Sequence, residues 1–116
     1  MSSQAIEIFN QNLKLNGLEN DSKIKTILSD SNLHMYNIDF KERYDIIDLD
    51  PYGSMIPFLN STLWAINDNG LLCITCTDSR VLMGSDYHKC FYLYWSSRAG
   101  SFSPRTLGLR VMLNAI

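Results

Sequence analysis

The stretch from Tyr44 to Ser54, YDIIDLDPYGS, constrains the fold of this chain more than any other. Tyr44 to Leu49 is short and nearly continuous in apolar character, which predicts a buried strand, and Asp50-Pro51-Tyr52-Gly53 then marks a tight turn. Pro51 has no N–H to give to a sheet ladder and biases Asp50 toward extended geometry, so the carboxylate is set at the carboxyl edge of the strand. That edge is where open α/β sheets bind ligands.

The residues of the turn suit chemistry on a nucleobase amine. Asp50 and the Pro51 carbonyl can accept hydrogen bonds from an exocyclic amine, Tyr52 can stack on a base, and Gly53 lets backbone come close. The same four residues also read as an ordinary strand-to-helix turn whose aspartate caps the next helix, and taken alone they leave both readings open.

The flanking sequence predicts alternating helices and strands. Ile6, Phe9 and Leu13 recur at helical spacing between Ser3 and Asn16, predicting an amphipathic helix with a buried stripe and a stop at Asn16-Gly17. Lys23 to Leu28 predicts a strand ending at Asp30, a position at which a helix cap is the competing reading. A short helical turn over Leu33 to Tyr36 and a polar connection over Asn37 to Arg43 lead into the central strand. Pro57 is tolerated only in a first helical turn, so a helix is expected from near Ile56 to Asp68, with Trp64 in the core. Leu71 to Thr77 predicts another buried strand, with Thr77-Asp78 at its carboxyl edge beside the same crevice. Asp86 to Trp95 predicts a helix packing several rings inward, with His88 structural or exposed. Ser96 to Ser103 reads as a loop, and Pro104 opens a helix that returns Leu107, Val111 and Leu113 to the core. Three strands alternating with helices predict a parallel α/β sheet with right-handed crossovers.

Size and charge narrow the function classes. A chain of 116 residues, 46% hydrophobic, can bury one modest core. No apolar run approaches the length of a membrane span, and the N-terminal residues lack a basic segment followed by a hydrophobic one, so neither membrane nor export is expected. Three cysteines, an odd number, predict reduced thiols. Cys73 and Cys76 have CxxC spacing but fall in a predicted strand, where positions three apart face opposite ways, and no metal is expected there. The net charge of −2 hides a basic C-terminal third, in which Arg80, Lys89, Arg98, Arg105 and Arg110 are opposed only by Asp86. Five dispersed cations read equally as an RNA-facing surface or as an ordinary solvated one.

IDLDPYGS, followed by Pro57-Phe58-Leu59, an Asn-Gly pair and GLLCITCTD from Gly70 to Asp78, resembles the tRNA guanine-26 dimethyltransferases, in their eukaryotic form. The resemblance runs from about Ala5 to Leu113. It implies an α/β fold, a partial Rossmann-like (class I methyltransferase) parallel sheet with flanking helices. It implies transfer of methyl groups from S-adenosylmethionine to the exocyclic amine of guanine 26 in tRNA, once and then again, with Asp50, Pro51 and Tyr52 as the catalytic residues. Asp30 and Ser31 are then expected to contact the adenine part of the cofactor, Ser31 standing where family members usually carry alanine. Residues 1–116 are expected to form one partial domain without the first two strands and the later tRNA-binding domain, and to bind S-adenosylmethionine poorly alone. The implied location is intracellular, the nucleus first and cytoplasm or mitochondrion as alternatives. One departure stands out: Arg105-Thr106 replaces the histidine-glutamate pair usual before Gly108-Leu109-Arg110. That change favours the alternative of a non-catalytic RNA-binding or structural relative, which the intact DPYGS opposes.

Overall fold

The computed structural model describes residues 3–83, 85–96 and 104–116. In chain order these form α1 (Ser3–Leu15), α2 (Ser31–Tyr36), a 3-10 turn (Phe40–Glu42), β1 (Tyr44–Leu49), α3 (Ile56–Ala65), β2 (Ile66–Ile74), α4 (Ser79–Leu82), α5 (Tyr87–Tyr94) and α6 (Pro104–Asn114). The architecture is α/β, with β1 and β2 paired in parallel and helices flanking them. Ile46 to Leu49 align with Leu71 to Ile74.

The strand β1 forms where its apolar run predicts, but it is not the buried strand expected: only Leu49 is buried, while Tyr44 and Ile46 are exposed, because β2 pairs with it on one edge and few residues cover its faces. Parallel strands need a crossover between them, and α3 supplies it, with Pro57 in its first turn where a missing N–H costs nothing. Ser61 and Thr62 are buried in α3, and each returns its hydroxyl to the Phe58 carbonyl, at 2.9 and 2.8 Å, so neither is left unpaired. The single Ser61 hydrogen is shared between that carbonyl and Asn32 Oδ1, and Asn32 Nδ2 donates to the Pro57 carbonyl at 3.2 Å, which ties α2 to α3. The core gathers Leu49 and Met55 at the β1 exit with Val81 and Leu82 of α4, Cys90 and Tyr94 of α5, and Val111 of α6. Gly108 lets α6 approach α4, since a Cβ there would stand 3.3 Å from Leu82.

Several expectations are corrected. Lys23 to Leu28 forms no strand: nothing among the described residues pairs with it, and Ile27 and Leu28 stay exposed. A strand exists only through its neighbour's ladder, so apolar alternation without a partner yields an irregular segment. The helix α1 has its expected span but no buried residue, and Phe9 is exposed. The second strand runs from Ile66 to Ile74 rather than from Leu71 to Thr77 and buries none of its residues; it starts early because Asn67 to Gly70 arch within it, so that two steps along β1, Tyr44 to Ile46, match five along β2, Ile66 to Leu71. Of the rings of α5 only Tyr94 is buried, while Tyr87, Phe91 and Tyr92, and Trp95 just beyond, are exposed. Trp64 is also exposed, lying 5.1 Å from the Arg43 guanidinium, which sits 4.5 Å from the Phe40 ring on its other contact. Leu113 is exposed, whereas Leu107 and Val111 return toward the core. Most of the predicted loop before Pro104, together with Arg98, lies outside the described residues. No helix among those residues is long and apolar enough to cross a membrane.

Candidate active site

At the carboxyl end of β1 the chain leaves the sheet through Asp50 and Pro51, and Gly53 turns it with φ +94°, a region that favours glycine. The turn is fastened to the segment after β2. The Gly53 N–H donates to Thr77 Oγ1 at 2.9 Å, and the Thr77 N–H donates to the Gly53 carbonyl at 3.0 Å. One step earlier, the Thr75 N–H donates to the Leu49 carbonyl at 2.9 Å, so the β1–β2 pairing runs on into the turn. Ser54 then accepts from the Ile56 N–H at 3.3 Å at the start of α3. The turn is therefore held by backbone bonds and by the hydroxyls of Thr77 and Ser54, none of which engages the Asp50 or Tyr52 side chain.

On the exposed side lies a cleft of about 650 Å³. Ser29, Asp30 and Ser31 line it from the segment before α2, Asp48 and Leu49 from β1, Asp50, Pro51 and Tyr52 from the turn, and Phe58 from α3. All five residues singled out in the sequence, Asp30, Ser31, Asp50, Pro51 and Tyr52, thus border one space. Asp50 and Tyr52 are exposed and Pro51 is half-buried. Asp30 does not end a strand. It is the N-cap of α2, with Oδ1 accepting from the Leu33 N–H at 3.1 Å. Capping uses one carboxylate oxygen and leaves Oδ2 for another donor.

The sequence reading missed Asp48, Phe58 and Ser29 as lining residues. Asp48 had a signal, a carboxylate inside an apolar strand; Phe58 had none, because its helical spacing marked it for the core. Thr77 meets the turn rather than the cleft. Asp78 lines a different depression, about 520 Å³, with Arg80, Ser85, Asp86, His88 and Lys89 among its neighbours. Arg105 borders a third groove, with Ile74, Cys76 and Met112, and does not reach the cleft. Cys73, Cys76 and Cys90 are free thiols, and among the described residues no group of three or more His, Cys, Asp or Glu is arranged to hold a metal.

Behind the turn is a partly buried polar cluster around the buried Tyr94. The Tyr94 hydroxyl donates to Ser54 Oγ at 2.8 Å and lies 3.4 Å from Cys76 Sγ and 3.5 Å from Asp78 Oδ2. Burial, and then the Cys76 contact, push the Tyr94 phenol far up, so it stays protonated and has one hydrogen to give. That hydrogen belongs to Ser54, since the Asp78 contact is too long to compete. Burial foremost, then the Asp78 charge, also raises the Cys90 thiol.

A carboxylate, a carbonyl and an exposed ring from one turn, in the same cleft as a second carboxylate from another segment, can hold an amine-bearing planar group and a second ligand. Comparison with known proteins gives this arrangement a context. Residues 1–116 match the family model described as N2,N2-dimethylguanosine tRNA methyltransferase. Three similar relatives carry the name tRNA (guanine(26)-N(2))-dimethyltransferase. The protein from Mus musculus is 37% identical over 99% of this chain, the mitochondrial one from Saccharomyces cerevisiae 38% over 97%, and that from Pyrobaculum islandicum 37% over 100%. The chain spans 17%, 20% and 31% of their respective lengths.

Proposed function

The chain belongs to the N2,N2-dimethylguanosine tRNA methyltransferase family, and on that premise we propose that it carries the catalytic turn of an enzyme that methylates the exocyclic amine of guanine 26 in tRNA, with S-adenosylmethionine as donor. The observation that carries the reading is the shared cleft, which Asp30 and Ser31 line together with Asp50, Pro51 and Tyr52.

Its volume lies within the span of roughly 300–1,000 Å³ usual for small-molecule sites. The donor fits the Asp30 side, where the carboxylate oxygen not engaged by Leu33 can accept from an adenine amine, with Ser31 beside it. When bound, S-adenosylmethionine supplies the electrophilic methyl group. The work of the chain is orientation. Asp50 and the Pro51 carbonyl accept the amine hydrogens of the guanine, which favours a geometry in which the nitrogen lone pair is less delocalised into the ring. Tyr52 stacks on the everted base and holds it out of its helix. Asp50 is also available as acceptor for the proton that the methylated nitrogen releases.

The basic side chains Arg80 and Lys89 are candidates for phosphate contacts beyond Asp78. The reading puts the protein inside the cell, in the nucleus by family resemblance, with a mitochondrial member among the relatives. The non-catalytic alternative rested on Arg105-Thr106; Arg105 stands at a separate groove, which leaves the cleft itself intact.

The test is methyl transfer from labelled S-adenosylmethionine to a tRNA transcript by the full-length protein. Incorporation at guanine 26, falling by about 10²–10⁴-fold in Asp50→Ala, is the expected result. A protein that binds the tRNA without methylating it, or an Asp50→Ala variant with undiminished rate, would refute the reading.

A further inference from the structure

We propose that Tyr94 is a positioning residue for methyl transfer: its buried hydroxyl holds Ser54, and through Ser54 the Asp50–Tyr52 turn, in the geometry the guanine amine requires. The inference rests on the functional reading above and adds a residue to it. Tyr94 touches no part of the cleft, so it acts only through its neighbour.

The observations converge on the hydroxyl rather than on the ring. The ring alone would pack as well if it were phenylalanine, yet a phenol is buried to 5% exposure with its oxygen in a polar cluster. A buried hydroxyl is unfavourable unless bonded, and this one gives its hydrogen to Ser54 Oγ at 2.8 Å, across forty residues of sequence. Ser54 Oγ in turn accepts from the Ile56 N–H, joining the end of the turn to the start of α3. Thr77 grips Gly53 from the β2 side. The turn is thereby pinned at two successive residues, and Tyr94 supplies the pin that comes from the helical layer. The neighbouring rings of α5 face outward, so Tyr94 is the one through which that helix meets the turn. The raised phenol, protonated at any working pH, keeps the donor role fixed.

A loosened turn should affect the second methyl transfer more than the first. An amine that already carries one methyl group has fewer orientations that present its lone pair to the donor and its remaining hydrogen to Asp50. Product composition therefore reports positioning, whereas a mere loss of folded enzyme lowers both steps alike.

The experiment uses the full-length protein and its Tyr94→Phe, Ser54→Ala and doubly substituted forms. Each single change is expected to lower kcat about 10-fold, leave KM for tRNA within about twofold, and shift product toward monomethylguanosine. The double variant should be no worse than Ser54→Ala alone, because that single change already removes the Tyr94 bond together with the one from the Ile56 N–H. Amide hydrogen exchange over residues 50–56, read without any substrate, should quicken in Tyr94→Phe. Unchanged exchange, or an unchanged product ratio with only a lowered Tm, would overturn the inference. If Tyr94→Phe fails to fold, Ser54→Ala decides by the same readouts. A wild-type protein without transferase activity refutes the functional reading instead, while the exchange measurement still judges the pin.

Discussion

Tyr52 carries the largest exposed ring at the cleft, with a relative exposure of 108%, so it adds almost nothing to the stability of the chain. Replacing it by alanine should leave stability within about 0.5 kcal/mol, as for other surface changes. Base stacking on such a ring is worth roughly 1–3 kcal/mol. Tyr52→Ala should therefore raise KM for tRNA by about 5- to 150-fold with an unchanged Tm, and Tyr52→Phe should restore most of it; steady-state kinetics beside a melting curve checks both. Asp50, Pro51 and Tyr52 were legible in the sequence because a turn is a local object, written in adjacent residues. Asp30 was legible as a polar position after an apolar run, although it caps a helix instead of ending a strand. Ser54 and Tyr94 were not legible together, since no local pattern links residues that far apart; only the packing of α5 behind the turn brings them into contact.

The turn is also where backbone geometry makes its strongest demand on an element. Gly53 has φ +94°, yet a Cβ built there meets no atom within 4 Å. Gly53→Ala is therefore free of collision and still strained, and should cost about 1–3 kcal/mol in urea unfolding of the full-length protein. A substitution without that cost would mean that the turn relaxes to another conformation. The elements themselves were read with uneven success for a physical reason. The strand β1, the helix α1 and the Pro57 start of α3 follow from local signals, whereas α3 ends at Ala65 instead of Asp68 because Ile66 to Asp68 are drawn into β2. The strand predicted over Lys23 to Leu28 required a partner, and the inward rings of α5 required a surface to face; neither requirement is written in the segment itself. The core of α5 is made by Cys90 and Tyr94, leaving the other rings outside.

As a whole the 116 residues are less compact than a typical chain of their size: the radius of gyration is 17.4 Å, against about 13 Å expected for a compact domain of this length. Two strands present only a narrow sheet, α1 buries none of its residues, and Ile46, Leu71, Leu28 and Leu15 are all exposed. Such a chain studied alone should unfold over a broad temperature range and bind a hydrophobic dye in its native buffer; calorimetry and dye fluorescence on residues 1–116 check this, and a sharp cooperative transition without dye binding would contradict it. The arch from Asn67 to Gly70 has a bearing on the distant cleft. Asn67 Nδ2 donates to the Arg43 carbonyl at 3.1 Å and to Asp45 Oδ1 at 2.8 Å, and a side chain at Gly70 would collide with Ile66 and crowd the Asp45 carbonyl. A slip of one residue between parallel strands inverts which faces their side chains occupy. By locking the two strands in phase at their amino ends, the arch decides which residue stands opposite Gly53 at the far end, so the alignment of the Asp50–Gly53 turn is fixed about one strand length away from the cleft.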